Sequence, residues 1–302
     1  MQSLARGPVV EPYIANVILS GGILKRVGNE AQKERWLYPM IAGELQATLA
    51  FNEPQARYEL ASVATSARRD GDQWVLNGHK GLVLNGGTSD LLLIPARSSG
   101  DVGDEHGITL FAVAADSDGL SCEAYATVDG LRAAEITLDG VRLSGDAVLG
   151  NVDEGFAALA ATIDDATLAV CAEAVGIMYA LKDKTVQYSK DRSQFGVPIG
   201  SFQVLQHRMV DMLMACEQAQ SLLMWAVMTN AAGGEESKRA VSAMKYMIGT
   251  AGQKLGEEAV QIHGGMGVTW ELDVAHYFKR HAAIETLFGN ADYHLDRVAA
   301  NG

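Results

Sequence analysis

The sequence predicts an α+β protein in which helices and strands occupy separate stretches of the chain. Apolar residues recur at helical spacing before residue 44, short β-favouring runs fill residues 49–150, and long helical patterns follow Gly155. Separate blocks favour this class over a Rossmann fold, which would alternate the two element types.

The first helical stretch, from Pro8 to Gly43, predicts two short helices. The segments YIANVILSGGILKRVG and NEAQKERWLYPMIAGE carry apolar residues at mixed helical intervals, and Asn29 is a good N-cap for the second. The next stretch, residues 49–150, predicts an antiparallel β domain, because runs such as QWVLNG and ITLFAVAA are separated by Gly, Asp and Asn turns. Within it, Asn77-Gly78 predicts a hairpin turn.

Residues 151–302 are predicted to form an antiparallel helical bundle. Turns such as FGVPIGS and AGGEES are short, as between the helices of a bundle. The predicted helices lie near residues 155–190, 201–232, 235–263 and 271–299.

The composition excludes several classes of protein. A net charge of -13 works against nonspecific binding to nucleic acid or anionic lipid. No run approaches the ~20 apolar residues of a membrane span, and the N-terminus lacks a secretion signal, so a cytoplasmic protein is expected. Cys122, Cys171 and Cys216 are widely spaced, which predicts buried thiols and argues against a disulfide framework or a zinc site.

Three segments place glycine and polar residues between apolar elements. KDRSQFGVPIGSFQ sets Arg192 beside an aromatic residue and a turn, and QIHGGMGVTWE ends a helix with three glycines. The third, AFNEPQARYELASVATSARRDGDQWVLNGHKGLVLNGG, begins with a polar loop around Glu53-Pro54. Each of the first two suits a phosphate-binding turn, with backbone N–H groups and a guanidinium near the anion. Each suits an ordinary Schellman-type helix end equally well.

Together and in this order, the segments resemble the acyl-CoA dehydrogenase family. That family carries a T-E-P loop, an N-G-x-K-x-W-I-[ST]-N strand, an R-x-x-F-G…F-Q element and a Q-x-x-G-G-x-G turn. The corresponding segments here are Asn52-Glu53-Pro54, Asn77 to Asn85, Arg192 to Gln203, and Gln261 to Gly267.

The resemblance implies an acyl-CoA dehydrogenase-like fold. Residues 1–48 would be the remnant of an N-terminal helical domain, 49–150 a central β domain and 151–302 a C-terminal four-helix bundle. FAD would lie between the last two domains, across a subunit interface in a dimer of dimers, either a homo- or a hetero-oligomer. The implied cofactor-binding residues are Asn52, Glu53, Arg192, Phe195 and Gln203, with Gln261, His263, Gly264 and Gly265 from the neighbouring subunit.

The implied reaction requires a carboxylate, because a proton leaves the carbon α to a thioester while a hydride leaves the β carbon for flavin. Aligning the usual Y-E-G-T segment from Tyr277 and Arg280 puts Gly289 at the base position. Glu285 lies one helical turn earlier, about 6 Å away along the axis. Two interpretations remain open: Glu285 is the base, or it is a structural or solvent-exposed side chain.

A minority of the family takes its base from a D-x-E-R-like segment in the first bundle helix. Counting back from Gly176 puts Ala166 at that base and Thr167 at the arginine. Asp164, our candidate for substrate binding, lies nearby with Asp165. As paired acids at a helix start, they also suit the helix dipole, and this structural interpretation is the favoured one.

Two further departures affect the implied pocket. Leu82 and Leu84 replace the aromatic and hydroxyl residues that the resemblance places against the flavin. Arg57 and Tyr58 replace small residues of a G-A-G-S-D loop, so that Arg57 either blocks the usual acyl-CoA path or binds another anionic group. The first helices of the N-terminal domain are expected to be missing, through an internal start methionine, truncation or a shortened subunit.

Three functions follow from the resemblance. The first is FAD-dependent α,β-dehydrogenation of an acyl-CoA from fatty acid or steroid side-chain β-oxidation, alone or in complex, with an electron-transfer flavoprotein as acceptor. The second is a non-catalytic partner subunit that helps to hold FAD in a heterotetrameric acyl-CoA dehydrogenase. The third is another flavin reaction, such as oxidation by molecular oxygen, since fold does not fix function.

Overall fold

The computed structural model describes residues 1–7 and 9–300, apart from the side chain of Glu235. Pro8, where the first predicted helical stretch begins, lies outside the described residues, as do Asn301 and Gly302. The chain divides into two compact units. We call Glu11–Ala166 the β unit and Met1–Val10 with Thr167–Gly302 the helical unit.

The two predicted N-terminal helices are present in the β unit. The first joins a π-helical stretch to α1, and the second joins α2 and α3 through another π-helical stretch. Asn29 caps the second helix. Its side chain accepts from the Gln32 backbone N–H, and the Gln32 side chain accepts from the Asn29 backbone N–H. The bounds are Ile14–Ser20 and α1 Gly21–Val27, then α2 Glu30–Gln32, Lys33–Leu37 and α3 Tyr38–Ala42.

Eight strands form one sheet in the order β6-β7-β3-β2-β4-β5-β8, with β1 paired to β4. Trp74 and Phe111 meet edge to face at 5.4 Å in its apolar core. The bounds are β1 Ala47–Leu49, β2 Ser66–Asp70, β3 Gln73–Leu84, β4 Leu91–Arg97, β5 Ile108–Ala114, β6 Leu120–Ala126, β7 Arg132–Ser144 and β8 Val148–Leu149.

The sheet corrects three expectations. It is mixed, since β4 pairs parallel with β1 and β2, which long connections allow and tight hairpins do not. Asn77-Gly78 lies inside β3 at a register shift and forms no hairpin turn. Gly78 is needed for close approach, because a Cβ there would lie 2.7 Å from Thr65 Cα. Cys122 is exposed and not buried, because β6 is an edge strand.

The helical unit contains most of α4 and all later elements. The fourth predicted helix, 271–299, is two helices, because Phe288 and Gly289 adopt φ values of +59° and +111°, which end the helix. A small hairpin precedes α5. The bounds are α4 Phe156–Asp191, β9 Ser193–Gln194, β10 Val197–Pro198, α5 Gln203–Ala232, α6 Glu235–His263, α7 Asp273–Thr286 and α8 Ala291–Ala300.

Within residues 1–7 and 9–300, no helix combines the length and apolar character that crossing a bilayer requires. Nor does any group of histidine, cysteine and carboxylate side chains in those ranges offer the ligands for a metal ion.

Candidate functional site

A buried ion pair organises the loop around Glu53-Pro54. Glu53 is 2% exposed, and its Oε1 accepts from the fully buried Lys80 Nζ at 2.5 Å. Its other donors are the Ala64 and Thr65 backbone N–H groups and Gln55 Nε2. Burial raises the pKa of Glu53, but the Lys80 charge and these donors outweigh it, so that the pKa lies below its ordinary value. The Glu53 carboxylate is therefore used inside the β unit, where it closes the loop.

The loop that Glu53 closes presents Arg57 at the surface. Arg57 is exposed with a φ of +49°, and Tyr58 is half-buried. The buried Arg97 guanidinium holds the far side of the loop, donating to the carbonyls of Ala61 at 2.8 Å and Val63 at 3.4 Å. A loop fixed at two places can hold an exposed guanidinium ready for an anionic group.

The same loop is tied to β3 near the two predicted flavin-wall leucines. The Asn52 carbonyl accepts from the Gly81 N–H at 3.0 Å. Leu82 is 42% exposed with a φ of +49°, whereas Leu84 is half-buried. The β unit therefore brings together Asn52, Glu53 and the strand that carries both leucines.

In the helical unit, the segment from Arg192 to Gln203 exposes a cation and an aromatic ring. Arg192 and Gln203 are exposed, and Gln203 is the first residue of α5. Phe195 is 93% exposed with a φ of +57°, and its ring meets Phe202 edge to face at 6.3 Å. An exposed guanidinium, an aromatic face and a helix N-terminus suit an anionic ligand that carries an aromatic ring.

The glycine turn after α6 is open to solvent. Gly264 has a φ of +61°, and a Cβ at Gly264 or Gly265 would meet no atom within 4 Å. Buried His263 supports the turn: its ring stacks on Tyr188 at 4.3 Å, and its Nδ1 lies 2.8 Å from the Ala259 carbonyl. Burial lowers the pKa of His263, which keeps the ring neutral. His263 therefore supports the turn from within, and Gln261 is exposed beside it.

Glu285 caps the N-terminus of α8. Its Oε1 accepts from the Ala291 N–H at 2.9 Å. The buried Lys245 Nζ donates to the carbonyls of Glu285 and Gly289, each at 2.7 Å. Gly289 is itself buried, and a Cβ there would lie 2.4 Å from Tyr293 Cδ1. The segment at the usual base position is thus held by a lysine and closed to side chains.

The second possible base position is also without an acid. Ala166 and Thr167 are both fully buried. Asp164 and Asp165 lie in the third turn of α4, which begins at Phe156, so the expected role at a helix start is wrong. Asp165 instead pairs with Arg26 at 2.6 Å. Asp164 is half-buried.

Sequence reasoning did not identify two buried lysines that organise these segments, Lys80 and Lys245. Lys80 stands in the quoted strand motif, at a position where alternation in β3 points inward. Lys245 is a lone cation in the apolar stretch AVSAMKYMIG. A single charge inside an apolar pattern was the available signal in both cases.

Two family descriptions match the chain. Residues 48–141 match "Acyl-CoA dehydrogenase, middle domain", and residues 153–302 match "Acyl-CoA dehydrogenase, C-terminal domain". Together they cover most of both units.

Known relatives agree with these matches. A Clostridium sporogenes protein named 3-(aryl)acrylate reductase is 31% identical over 91% of this chain and 73% of its own. A Mycobacterium leprae protein named probable acyl-CoA dehydrogenase fadE25 is 34% identical over 88% of this chain and 69% of its own. The solved structure of butyryl-CoA dehydrogenase from Megasphaera elsdenii superposes with a TM-score of 0.92 at 27% identity, covering 99% of this chain and 79% of that one.

Proposed function

The chain belongs to the acyl-CoA dehydrogenase family, and from that membership we propose that it is a flavoprotein that takes part in the FAD-dependent α,β-dehydrogenation of an acyl-CoA thioester. When bound, FAD supplies the hydride acceptor for the β carbon. The observation that carries the proposal is the exposed Arg192–Phe195 segment together with the open glycine turn after α6.

The exposed groups of the helical unit fit the ADP part of FAD. The Arg192 guanidinium would offset pyrophosphate charge, and the Phe195 face would receive the adenine ring. Gln203 would donate at the start of α5. Gln261, Gly264 and Gly265 would serve the cofactor of a neighbouring subunit in a dimer of dimers, since glycines admit backbone donors close to a phosphate.

The β unit would supply the flavin wall and a substrate contact. Leu82 and Leu84 would line the ring system with apolar groups, with Asn52 and Glu53 fixing the adjacent loop. Arg57 would bind an anionic group of the substrate. We keep Asp164, half-buried on α4, as a second candidate for a substrate contact.

The identity of the residue that accepts the substrate proton determines the role of this chain. Glu285 is the carboxylate one helical turn before the usual position, and its Oε1 caps α8. We propose two roles for the chain accordingly: it uses Glu285 as base, or it is the FAD-holding partner in an assembly whose other subunit supplies the base. The closed backbone at Gly289 favours the partner role. An electron-transfer flavoprotein would reoxidise the cofactor, and the cytoplasm is the proposed location.

Visible spectroscopy distinguishes the two roles. The purified chain is titrated with FAD and then with an acyl-CoA, alone and after mixing with the product of a neighbouring gene. Flavin bleaching in the chain alone would rule out the pure partner role, whereas flavin bound only in the mixture would support it. Absence of flavin binding under all conditions contradicts the proposal. Phe195→Ala should weaken FAD binding without changing the melting temperature of the FAD-free chain, because the ring is 93% exposed.

The variant Glu285→Gln tests the base without disturbing the cap. A glutamine Oε1 can still accept from the Ala291 N–H, so that the structure is preserved while the proton acceptor is lost. If Glu285 is the base, flavin reduction should slow by at least ~100-fold. Flavin reduction at the wild-type rate, in an assembly that turns over, assigns the base elsewhere.

A further inference from the structure

A bulge in β3 displays Leu82 on the surface of the sheet. The register of β3 against β7 shifts between Lys80 and Val83. Gly81 and Leu82 therefore face the single residue Glu135 across the two strands. Leu82 is 42% exposed with a φ of +49°, a conformation that a leucine keeps only where surrounding contacts impose it.

The Glu135 carboxylate holds this bulge from β7. Its Oε1 accepts from the Leu82 N–H at 3.3 Å and from the Tyr125 hydroxyl at 2.9 Å. Its Oε2 lies 2.8 Å from His79 Nε2. Gly81 makes room for this approach, because a Cβ at Gly81 would lie 3.0 Å from Glu135 Oε2.

The bulge is also held from the opposite side. The Gly81 N–H donates to the Asn52 carbonyl at 3.0 Å, which joins the bulge to the loop that Glu53 closes. Burial raises the pKa of Glu135, but the bonds from Tyr125, the backbone and His79 outweigh it, so that the pKa lies below its ordinary value. An ionised carboxylate can accept all three donors at once.

The network holds an exposed apolar residue in place. Side chains from β3, β6 and β7 converge on a partly exposed carboxylate, and the residue that this carboxylate fixes is Leu82. Non-glycine residues in strained conformations recur at ligand-contact sites.

We propose that Glu135 is a positioning residue that fixes the Leu82 bulge so that the leucine side chain packs against the flavin ring. This inference rests on the proposed function, since the flavin is its ligand. His79 and Tyr125 would act through Glu135 by setting the orientation of the carboxylate.

The test compares Glu135→Ala and Glu135→Gln in the FAD-loaded assembly, with Glu105→Gln as control. Glu105 is an exposed glutamate of the same unit, in the loop between β4 and β5. Loss of the charged acceptor should weaken FAD binding by on the order of tenfold in Glu135→Ala and shift the visible spectrum of the bound flavin. Glu135→Gln should be intermediate, because its Oε1 still accepts from the Leu82 N–H. Glu105→Gln should match wild type.

A second variant and a cofactor-free readout separate the possible outcomes. Gly81→Ala should shift the flavin spectrum in the same direction as Glu135→Ala, because the new methyl displaces the carboxylate. Hydrogen exchange at the Leu82 amide should accelerate in Glu135→Ala even without FAD. A wild-type assembly without FAD affinity overturns the proposed function and this inference together. A wild type that binds FAD, beside a Glu135→Ala protein with unchanged affinity and spectrum, overturns the role of Glu135 alone.

Discussion

The backbone at Gly289 determines what a mutation can restore at the usual base position. A Cβ there would lie 2.4 Å from Tyr293 Cδ1 and 2.7 Å from His294 Nε2, and φ is +111°. We expect Gly289→Ala to lower the free energy of unfolding by about 3 kcal/mol, because left-handed strain adds to overlap. Urea unfolding measures this loss. Gly289→Glu should lose at least as much and gain no turnover.

Gly145→Ala is the matched control for that measurement. A Cβ at Gly145 meets no atom within 4 Å, and its φ lies outside the left-handed range. Its stability should therefore stay within about 1 kcal/mol of wild type. If Gly289→Ala is as stable as Gly145→Ala, the segment between α7 and α8 has room that the structure does not show.

The ion pair between Glu53 and Lys80 predicts strong non-additivity. Lys80→Met leaves a buried carboxylate without its cation and should cost about 3–5 kcal/mol of unfolding free energy. Adding Glu53→Gln to Lys80→Met should recover part of that loss, because no unpaired charge then remains buried. Urea unfolding of the two single variants and the double variant gives the coupling energy.

An exposed pair supplies the comparison. Glu30 and Lys33 are one turn apart on a surface helix with an N–O distance of 3.0 Å, so Lys33→Met should cost less than about 0.5 kcal/mol. Equal losses for Lys33→Met and Lys80→Met would mean that the Glu53 pair is solvated.

At the scale of elements, Lys245 connects α6 to the break between α7 and α8. Its ammonium donates to the carbonyls of Glu285 and Gly289. Lys245→Met should lose about 2 kcal/mol of unfolding free energy, because two buried carbonyls lose a charged donor. Hydrogen exchange of amides 286–291 should accelerate. Lys254→Met, at an exposed position of the same helix, should leave both unchanged; equal protection of these amides in the two variants contradicts the role of Lys245.

The elements also show which sequence signals predict structure. Helices with a sustained apolar period, such as α4 and α5, formed within two residues of their predicted limits. The break in the fourth helix was missed, although Gly289 and Asn290 are ordinary stop and start residues: Gly289 has a φ of +111°, and Asn290 Oδ1 accepts from the Tyr293 N–H. Asn77-Gly78 misled because a turn dipeptide also suits a bulge, and only the approach of Thr65 decides between them.

At the scale of the whole molecule, the candidates that the motifs identified are exposed. Arg192, Phe195 and the glycine turn are accessible, as a binding role requires, and that role stays a prediction. The interior roles of Lys80 and Lys245 were missed, because a single charge in an apolar pattern indicates burial but does not identify the partner that the fold brings to it. In a chain of net charge -13, two buried lysines stabilise functional candidates: Lys80 holds the loop around Glu53, and Lys245 holds the segment between α7 and α8.

Two of the three buried histidines in the helical unit, His281 and His294, dominate the expected dependence of stability on pH. Burial, and next the charge of Lys245, lowers the pKa of His281 to about 4 and of His294 to about 3, from an ordinary 6.5. Both rings are neutral in the folded chain and protonate in the unfolded chain, so their contribution is complete above pH ~6.5 and is lost as pH falls toward those values. At pH ~5, protonation of each ring in the unfolded chain should have lowered the free energy of unfolding by about 2 kcal/mol relative to neutral pH.

Urea midpoints measured between pH ~7 and ~5, above the range where most carboxylates titrate, test this dependence. His281→Leu should remove somewhat less than half of the decline, whatever its effect on stability at pH 7, because His294 and, with a smaller shift, His263 still titrate. His207→Gln, at an exposed position of α5, should leave the slope unchanged. A His281→Leu protein with the wild-type slope would show that His281 is already protonated, or already solvated, in the folded chain, and the helical unit would then owe its acid sensitivity to other groups.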